Sequence, residues 1–294
     1  MPRPPRLHFP GATYHVTLRG NHRQDIFFCA TDRARMSELL ADVLSSCDAR
    51  LHGYCYMSNH LHAIIQVSDV PLGPIVQRIA SPYARMTQAR LDTTGHLFEK
   101  RYYPVLVDTD AYLLELLRYV HLNPVRARIV LDTTTYPWSS HHAYLGNRIE
   151  PWVTTDFALS LFNADRQRAI DAYRRFVAEA VRADRVRSPL EDVNPHDARI
   201  LGGDDFARRM FGPDWGPKSR KSLDQLVSEA CVHFGLTTEE LKSASRVARI
   251  VAARAWITHE AVTGGIASIS AVGRHLGRDE SSLRRALRKR FEAA

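Results

Sequence analysis

Closely spaced cysteines are the first thing this chain lacks. Its four, Cys29, Cys47, Cys55 and Cys231, are scattered through 294 residues with no CxxC among them. That spacing argues against a zinc ribbon and supplies no disulfide framework, so the expectation is four reduced cysteines in a cytoplasmic protein. Long apolar runs are missing too. None approaches the roughly 20 residues of a membrane span, and the N-terminal MPRPPRLHFPG has no apolar stretch of the signal-peptide kind. No membrane partner is expected. Internal repeats and low-complexity tracts are also absent, which sets aside solenoids and fibres.

What is present is an ordinary globular composition, 45% hydrophobic and 24% charged, with a surplus of positive charge. The net charge of +8 divides as +4 over residues 1–130, −2 over 131–217 and +6 over 218–294. Excess at both ends points to polyanionic partners at both, although the same surplus also serves solubility.

Residues 14–18, YHVTL, alternate as a half-buried strand does and run into a turn at Arg19-Gly20-Asn21. Thr31 or Asp32 can cap a helix that carries Met36, Leu39, Leu40, Val43 and Leu44 at helical spacing. LHGYCYM (51–57) and HLHAIIQV (60–67) read as a hairpin joined by Ser58-Asn59. A second helix covers 74–91, with Pro82 expected to kink or split it. RYYPVLVD (101–108) is a further strand, followed by a helix that Thr109 or Asp110 caps and Pro124 ends. The order β-α-β-β-α-β and then a helix predicts an α+β fold, an antiparallel sheet with helices on one face. Residues 131–153 read as irregular, 154–182 as one charged amphipathic helix, and GPDWGPKSRKS (212–222) as a linker. The expected domains are 1–150, a helical extension and linker over 151–217, and a C-terminal domain over 218–294.

Two pairs of residues carry the chemistry. In a strand, His60 and His62 share one face while Leu61 turns to the other. Two imidazoles so placed can chelate a divalent cation through neutral ring nitrogens, or can be polar strand residues and nothing more. Tyr119 and Asn123 stand at i and i+4, on one helical face. Asn123 offers an amide oxygen of the kind magnesium or manganese accepts, or it caps the turn into Pro124-Val125-Arg126-Ala127. Tyr119 offers a phenol that can attack a polarised phosphate, or it is a core residue like Tyr112 seven positions earlier.

NHLH at 59–62 followed by RYVHLNPVRA at 118–127 resembles the HUH single-tyrosine transposases, in particular the REP-associated tyrosine transposases. YHVTLRGN (14–21) and GHLFEKRYY (95–103) are similar to that family's first strand and to its segment before the tyrosine helix. Four motifs in order span about residues 5–146. The resemblance implies a ferredoxin-like core with the histidine pair on a central strand. It also implies cleavage and joining of single-stranded or hairpin DNA with Mg2+ or Mn2+. On this likeness His60 and His62 fall on the metal-binding pair, Tyr119 on the nucleophile and Asn123 on the polar residue taken as a third ligand. The reaction implied is attack by Tyr119 on a phosphodiester, giving a 5′-phosphotyrosine link and a free 3′-hydroxyl that can later be religated. Ser81-Pro82 departs from the family, whose helix continues there uninterrupted. Arg19 and Arg126 are the candidate phosphate contacts, and a homodimer is one possible assembly.

In the C-terminal region, a helix to His275 or Leu276, a turn at Gly277 and a new helix capped by Asp279 form a helix-turn-helix. Arg278, Ser281, Ser282 and Arg285 are its candidate DNA contacts, with the other basic residues through Arg290 on phosphates of a duplex. SRVARIVAARAW (245–256) and VGRHLGRDESSLRRAL (272–287) are similar to the DNA-binding domain of the replication initiator DnaA. That domain's usual histidine and threonines are Glu280, Ser281 and Ser282 here, so its sequence preference does not carry across. The leading expectation is a strand-transfer endonuclease working at the bacterial nucleoid. Its rival is a regulator on the same fold that binds DNA without cutting it. A rolling-circle initiator or relaxase shares the chemistry but is disfavoured by the single tyrosine and the absence of a helicase segment.

Overall fold

The alternation of residues 13–19 becomes strand β1 (Thr13–Arg19) in the computed structural model, which describes residues 8–99, 102–182, 188–212, 215, 222–263 and 266–291. The chain divides into two units, Met1–Gly216 and Pro217–Ala294. Most of the expected linker 212–222, Lys100-Arg101 of GHLFEKRYY and the basic side chains at 288–290 lie outside the described residues.

In the first unit β1 is followed by α1 (Ala30–Ser46), β2 (Arg50–Tyr56), β3 (His60–Gln66), α2 (Leu72–Leu91), β4 (Tyr103–Val107) and α3 (Thr109–Arg126). Then come α4 (His141–Tyr144), α5 (Asp156–Ser160), α6 (Arg166–Arg182), β5 (Ile200–Leu201) and α7 (Asp204–Phe211). The sheet order is β2-β3-β1-β4-β5. The first four strands pair antiparallel as expected, and β5 adds in parallel to β4, so the sheet is mixed.

The α+β class stands, but the helices are divided between the two faces of the sheet. Tyr56 of β2 points to α1, where Ser37 Oγ lies 2.8 Å from its hydroxyl, and the Phe27 ring bridges Tyr56 and Tyr83 of α2. The opposite face also carries apolar residues, Ile64 and Val105, and leaving these to water would cost about 1.5–3 kcal/mol each. α3 covers that face. It comes so near β2 that a Cβ on Gly53 would stand 2.6 Å from Leu117 Cδ1, which is why this strand position is glycine.

Local chemistry shifts several boundaries. Asp32 does not precede α1; it sits in the first turn and accepts from the backbone N–H groups of Phe28 (2.7 Å) and Cys29 (3.1 Å). Arg90 of α2 then binds its carboxylate, tying α1 to α2. Neither proline ends its helix. α2 runs unbroken through Pro82, and α3 passes Pro124 to Arg126. A proline inside a helix withholds one N–H, and the rest of the ladder is kept where packing on both sides favours it. The single helix expected at 154–182 is two, because Asn163 Oδ1 accepts from Asp165 N–H and Asp165 Oδ1 in turn caps Arg168. Residues 151–216, expected as an extension and linker, belong to the first unit.

The second unit holds α8 (Leu223–Phe234), α9 (Thr238–Lys242), α10 (Ala248–Thr263), α11 (Ile269–Leu276) and α12 (Glu280–Phe291) around Leu226, Leu241, Ile257, Val272, Leu276 and Leu283. Arg254 of α10 is buried. Its guanidinium donates to the carbonyls of Leu241, Ser243 and Ser245 at 2.6–2.9 Å and so pins the turn after α9. Gly277, at φ 62°, makes the left-handed turn between α11 and α12. Among the described residues, no helix is long and apolar enough to cross a membrane.

Candidate active site

The histidine pair lies where β3 meets β1. Antiparallel register sets Arg19 opposite His60, Thr17 opposite His62 and His15 opposite Ile64, and β4 adds Tyr103 opposite Thr17. Residues directly opposite share a face, so His60, His62, His15, Thr17, Arg19 and Tyr103 line one side of the sheet. Leu61 is turned into the core on the other side. The row nearer the strand ends is open, with Arg19 and Tyr103 exposed and His60 half-buried. Further in, His15 and His62 are closed off from solvent.

Each ring of the pair is held at Nδ1. Asn59 donates its amide N–H to the Arg23 carbonyl (3.1 Å), which turns its Oδ1 to His60 Nδ1 at 2.6 Å. His60 Nδ1 therefore carries the proton and Nε2 the lone pair. His62 Nδ1 lies 2.9 Å from His15 Nε2 and 3.5 Å from Thr17 Oγ1. Burial and then the Arg19 cation hold the pKa of His60 down to about 4. Burial, reinforced by His60, takes His15 to about 3. His62 is held well below its ordinary range, first by burial and then by His15. All three are neutral at pH 7, the state in which imidazole ligates a metal.

α3 delivers Tyr119 to this face. Its ring meets His62 edge-on at 5.8 Å between centroids and His15 at 6.3 Å. Arg126, two turns on, sets its guanidinium 4.7 Å from the Tyr119 ring centre. A cation over an aromatic face is attracted to it, and here it also puts positive charge beside the phenol. Asn123 engages its own helix through its nitrogen. Its amide nitrogen donates to the Tyr119 carbonyl (2.9 Å) and lies 3.4 Å from that of Val120, and none of its described contacts reaches the imidazoles. The Val120 carbonyl is the one whose helical donor would be residue 124, a proline without an N–H.

Among the described residues no three His, Cys, Asp or Glu side chains are gathered to hold a metal ion. Two neutral imidazoles, each gripped at Nδ1 and each with an Nε2 remaining, nonetheless fit a divalent cation as two of its ligands. The structure thus brings together His60, His62, Tyr119, Arg19 and Arg126. Motif reading missed His15, Thr17 and Asn59. The signal available for the first two was the period of two in YHVTLR, which puts His15, Thr17 and Arg19 on one face.

In the second unit, Ser281 and Arg285 are exposed on the first turns of α12. The backbone N–H of Ser282 donates to Asp279 Oδ1 (2.8 Å) and its hydroxyl to the Asp279 carbonyl (2.9 Å), so this side chain serves the helix start. The Ser282 N–H bond, aided by the hydroxyls of Ser282 and Ser281, holds the Asp279 carboxyl below the usual range. Arg278 is half-buried and donates to the Ser243 carbonyl at 3.0 Å.

Residues 8–123 match the family described as IS200-like transposase. A solved structure, described as a REP-associated tyrosine transposase bound to a REP hairpin, is similar at 16% identity. The likeness covers 53% of this chain and 92% of that one, with a TM-score of 0.43. No curated protein matches the chain.

Proposed function

We propose, on the premise that residues 8–123 belong to the IS200-like branch of the HUH tyrosine transposases, that this protein cleaves and rejoins single-stranded DNA beside a hairpin. The observation that carries the reading is the edge contact of the Tyr119 ring with His62, beside a second imidazole and under the Arg126 guanidinium.

In this reading Arg19 and Arg126 draw the phosphate backbone to the open end of the sheet. Tyr119 Oη forms a bond to phosphorus as the bond to the 3′-oxygen breaks. The phenol proton ends, net, on the leaving 3′-hydroxyl, and the 5′ end stays on the protein as a phosphotyrosine. A 3′-hydroxyl from another strand reverses the step, so ligation needs no nucleotide cofactor. His60 and His62 would hold Mg2+ or Mn2+, with Asn123 a candidate third ligand, and the bound cation would supply charge withdrawal from the scissile phosphate. The Arg126 guanidinium stabilises negative charge as it develops on the phenol oxygen.

The second unit would act as a tether. Its α11–α12 pair has the form of a helix-turn-helix, with Arg285 exposed toward a duplex, and Arg278, Ser281 and Ser282 meeting one only if their internal bonds are exchanged. A tether raises local concentration at the cleavage site without new contacts there.

The test is a denaturing gel of protein incubated with hairpin-tailed oligonucleotides and Mg2+ or Mn2+. A covalent adduct is expected with the native protein and is lost in Tyr119→Phe and on chelation of the metal. Tight binding across several hairpins with no adduct would replace this reading with the non-cleaving regulator.

A further inference from the structure

His15, the third imidazole behind the pair, is not used in the chemistry above. It is fully buried, its Nε2 is 2.9 Å from His62 Nδ1, and its own Nδ1 finds no hydrogen-bond partner. Its register neighbours are Ile64 and Val105, so an aliphatic side chain would suit the packing, yet the position carries a ring with a polar atom left over. Burying such an atom without a partner costs stability, so an imidazole at this position points to a need for its other nitrogen.

The hydrogen bond between the two rings contains one proton, and two tautomer pairs satisfy it. In the first, His15 Nε2–H donates; His62 then bears its proton on Nε2 and has no lone pair to offer there. In the second, His62 Nδ1–H donates to His15 Nε2, which leaves a lone pair on His62 Nε2. Only the second makes His62 a ligand. Thr17 Oγ1, at 3.5 Å, is too far away to take over the accepting role. His60 is already in the equivalent state, its Nδ1 proton given to Asn59.

We infer that His15 is a positioning residue: it accepts the Nδ1 proton of His62, fixing that ring's tautomer and orientation so that Nε2 faces a divalent cation. The inference rests on the proposed cation site. It gives the two histidines matching outer partners, an amide oxygen for His60 and an imidazole for His62. Such partners also make the ligating nitrogen more basic.

The experiment uses the full chain without DNA, so that cutting is not the readout. Mn2+ affinity is measured from the free-ion signal in electron paramagnetic resonance, with thermal melts as the control for folding. His15→Leu is expected to weaken Mn2+ binding by about 10–100-fold. His15→Gln, which can set an amide oxygen where Nε2 was, is expected to recover most of the loss. Independently, 15N spectra of the native protein with Mg2+ are expected to show His62 protonated on Nδ1 and bare on Nε2. A folded His15→Leu with unchanged Mn2+ affinity, or a Mg2+-loaded His62 still protonated on Nε2, overturns the role of His15. Failure of the native protein to bind Mn2+ at all would instead remove the cation site on which the inference stands.

Discussion

Asn123 is tied to the backbone of its own helix, and that tie decides what its substitution does. The amide nitrogen serves carbonyls in the turn that Pro124 leaves short of a donor. Asn123→Asp keeps an oxygen for a cation but removes both N–H groups and sets a negative charge near a helix C-terminus. We expect it to cost about 1–3 kcal/mol, read from the urea midpoint of unfolding, while Mn2+ binding is kept if the oxygen is a ligand. At this scale, spacing alone defines a face only within one strand or helix. The HxH pair and the i, i+4 pair each announce themselves in a dozen residues. His15 did not, because its partner is 47 positions away and only strand register joins them. The fate of Asn123 was hidden for another reason: an amide has two ends, and sequence does not say which one the surroundings will engage.

At the level of elements, α3 is anchored by a buried chain of polar groups. Ser140 meets His121 Nε2 at 2.7 Å, His121 and His141 both meet the Tyr173 hydroxyl at 2.6–2.7 Å, and Thr133 meets His141 at 3.1 Å. The chain joins α3, α4 and α6, three elements whose association no local pattern foretold. Burial, then the neighbouring His142 and Arg174 against the opposing pull of Asp132, holds His141 to about 4. An unfolded histidine titrates near 6.5. Its stability contribution is therefore complete above that value and is lost as the pH falls toward 4, an effect on the order of 3 kcal/mol for this residue. The urea midpoint should drop between pH 7 and pH 5, and His141→Asn should flatten that dependence. Periodicity found every strand from β1 to β4 and the helices between them. It took Pro124 for a stop and Pro82 for a kink or a break, whereas both helices run on because tertiary packing outweighs one missing donor, and it missed β5, which is two residues long and pairs only through β4.

The molecule as a whole has a matched segment that is shorter than the unit it folds in. The family match ends at residue 123, yet the first unit runs to Gly216. Later residues line both margins of the sheet. On the β2 side Tyr56 N–H donates to the Trp138 carbonyl (2.8 Å), Cys55 bridges Ser139 and Leu51 bridges Val153. On the far side Ile200 and Leu201 pair with Leu106 and Val107 of β4. An uncovered strand margin is a row of bare N–H and C=O groups on which another copy can grow. A chain stopped at 150 should therefore self-associate in size-exclusion chromatography, its β4 row laid bare, whereas one stopped at 216 should elute as a single species. Two residues placed some ninety positions after β4 would then be what keeps neighbouring molecules from adding themselves to this sheet.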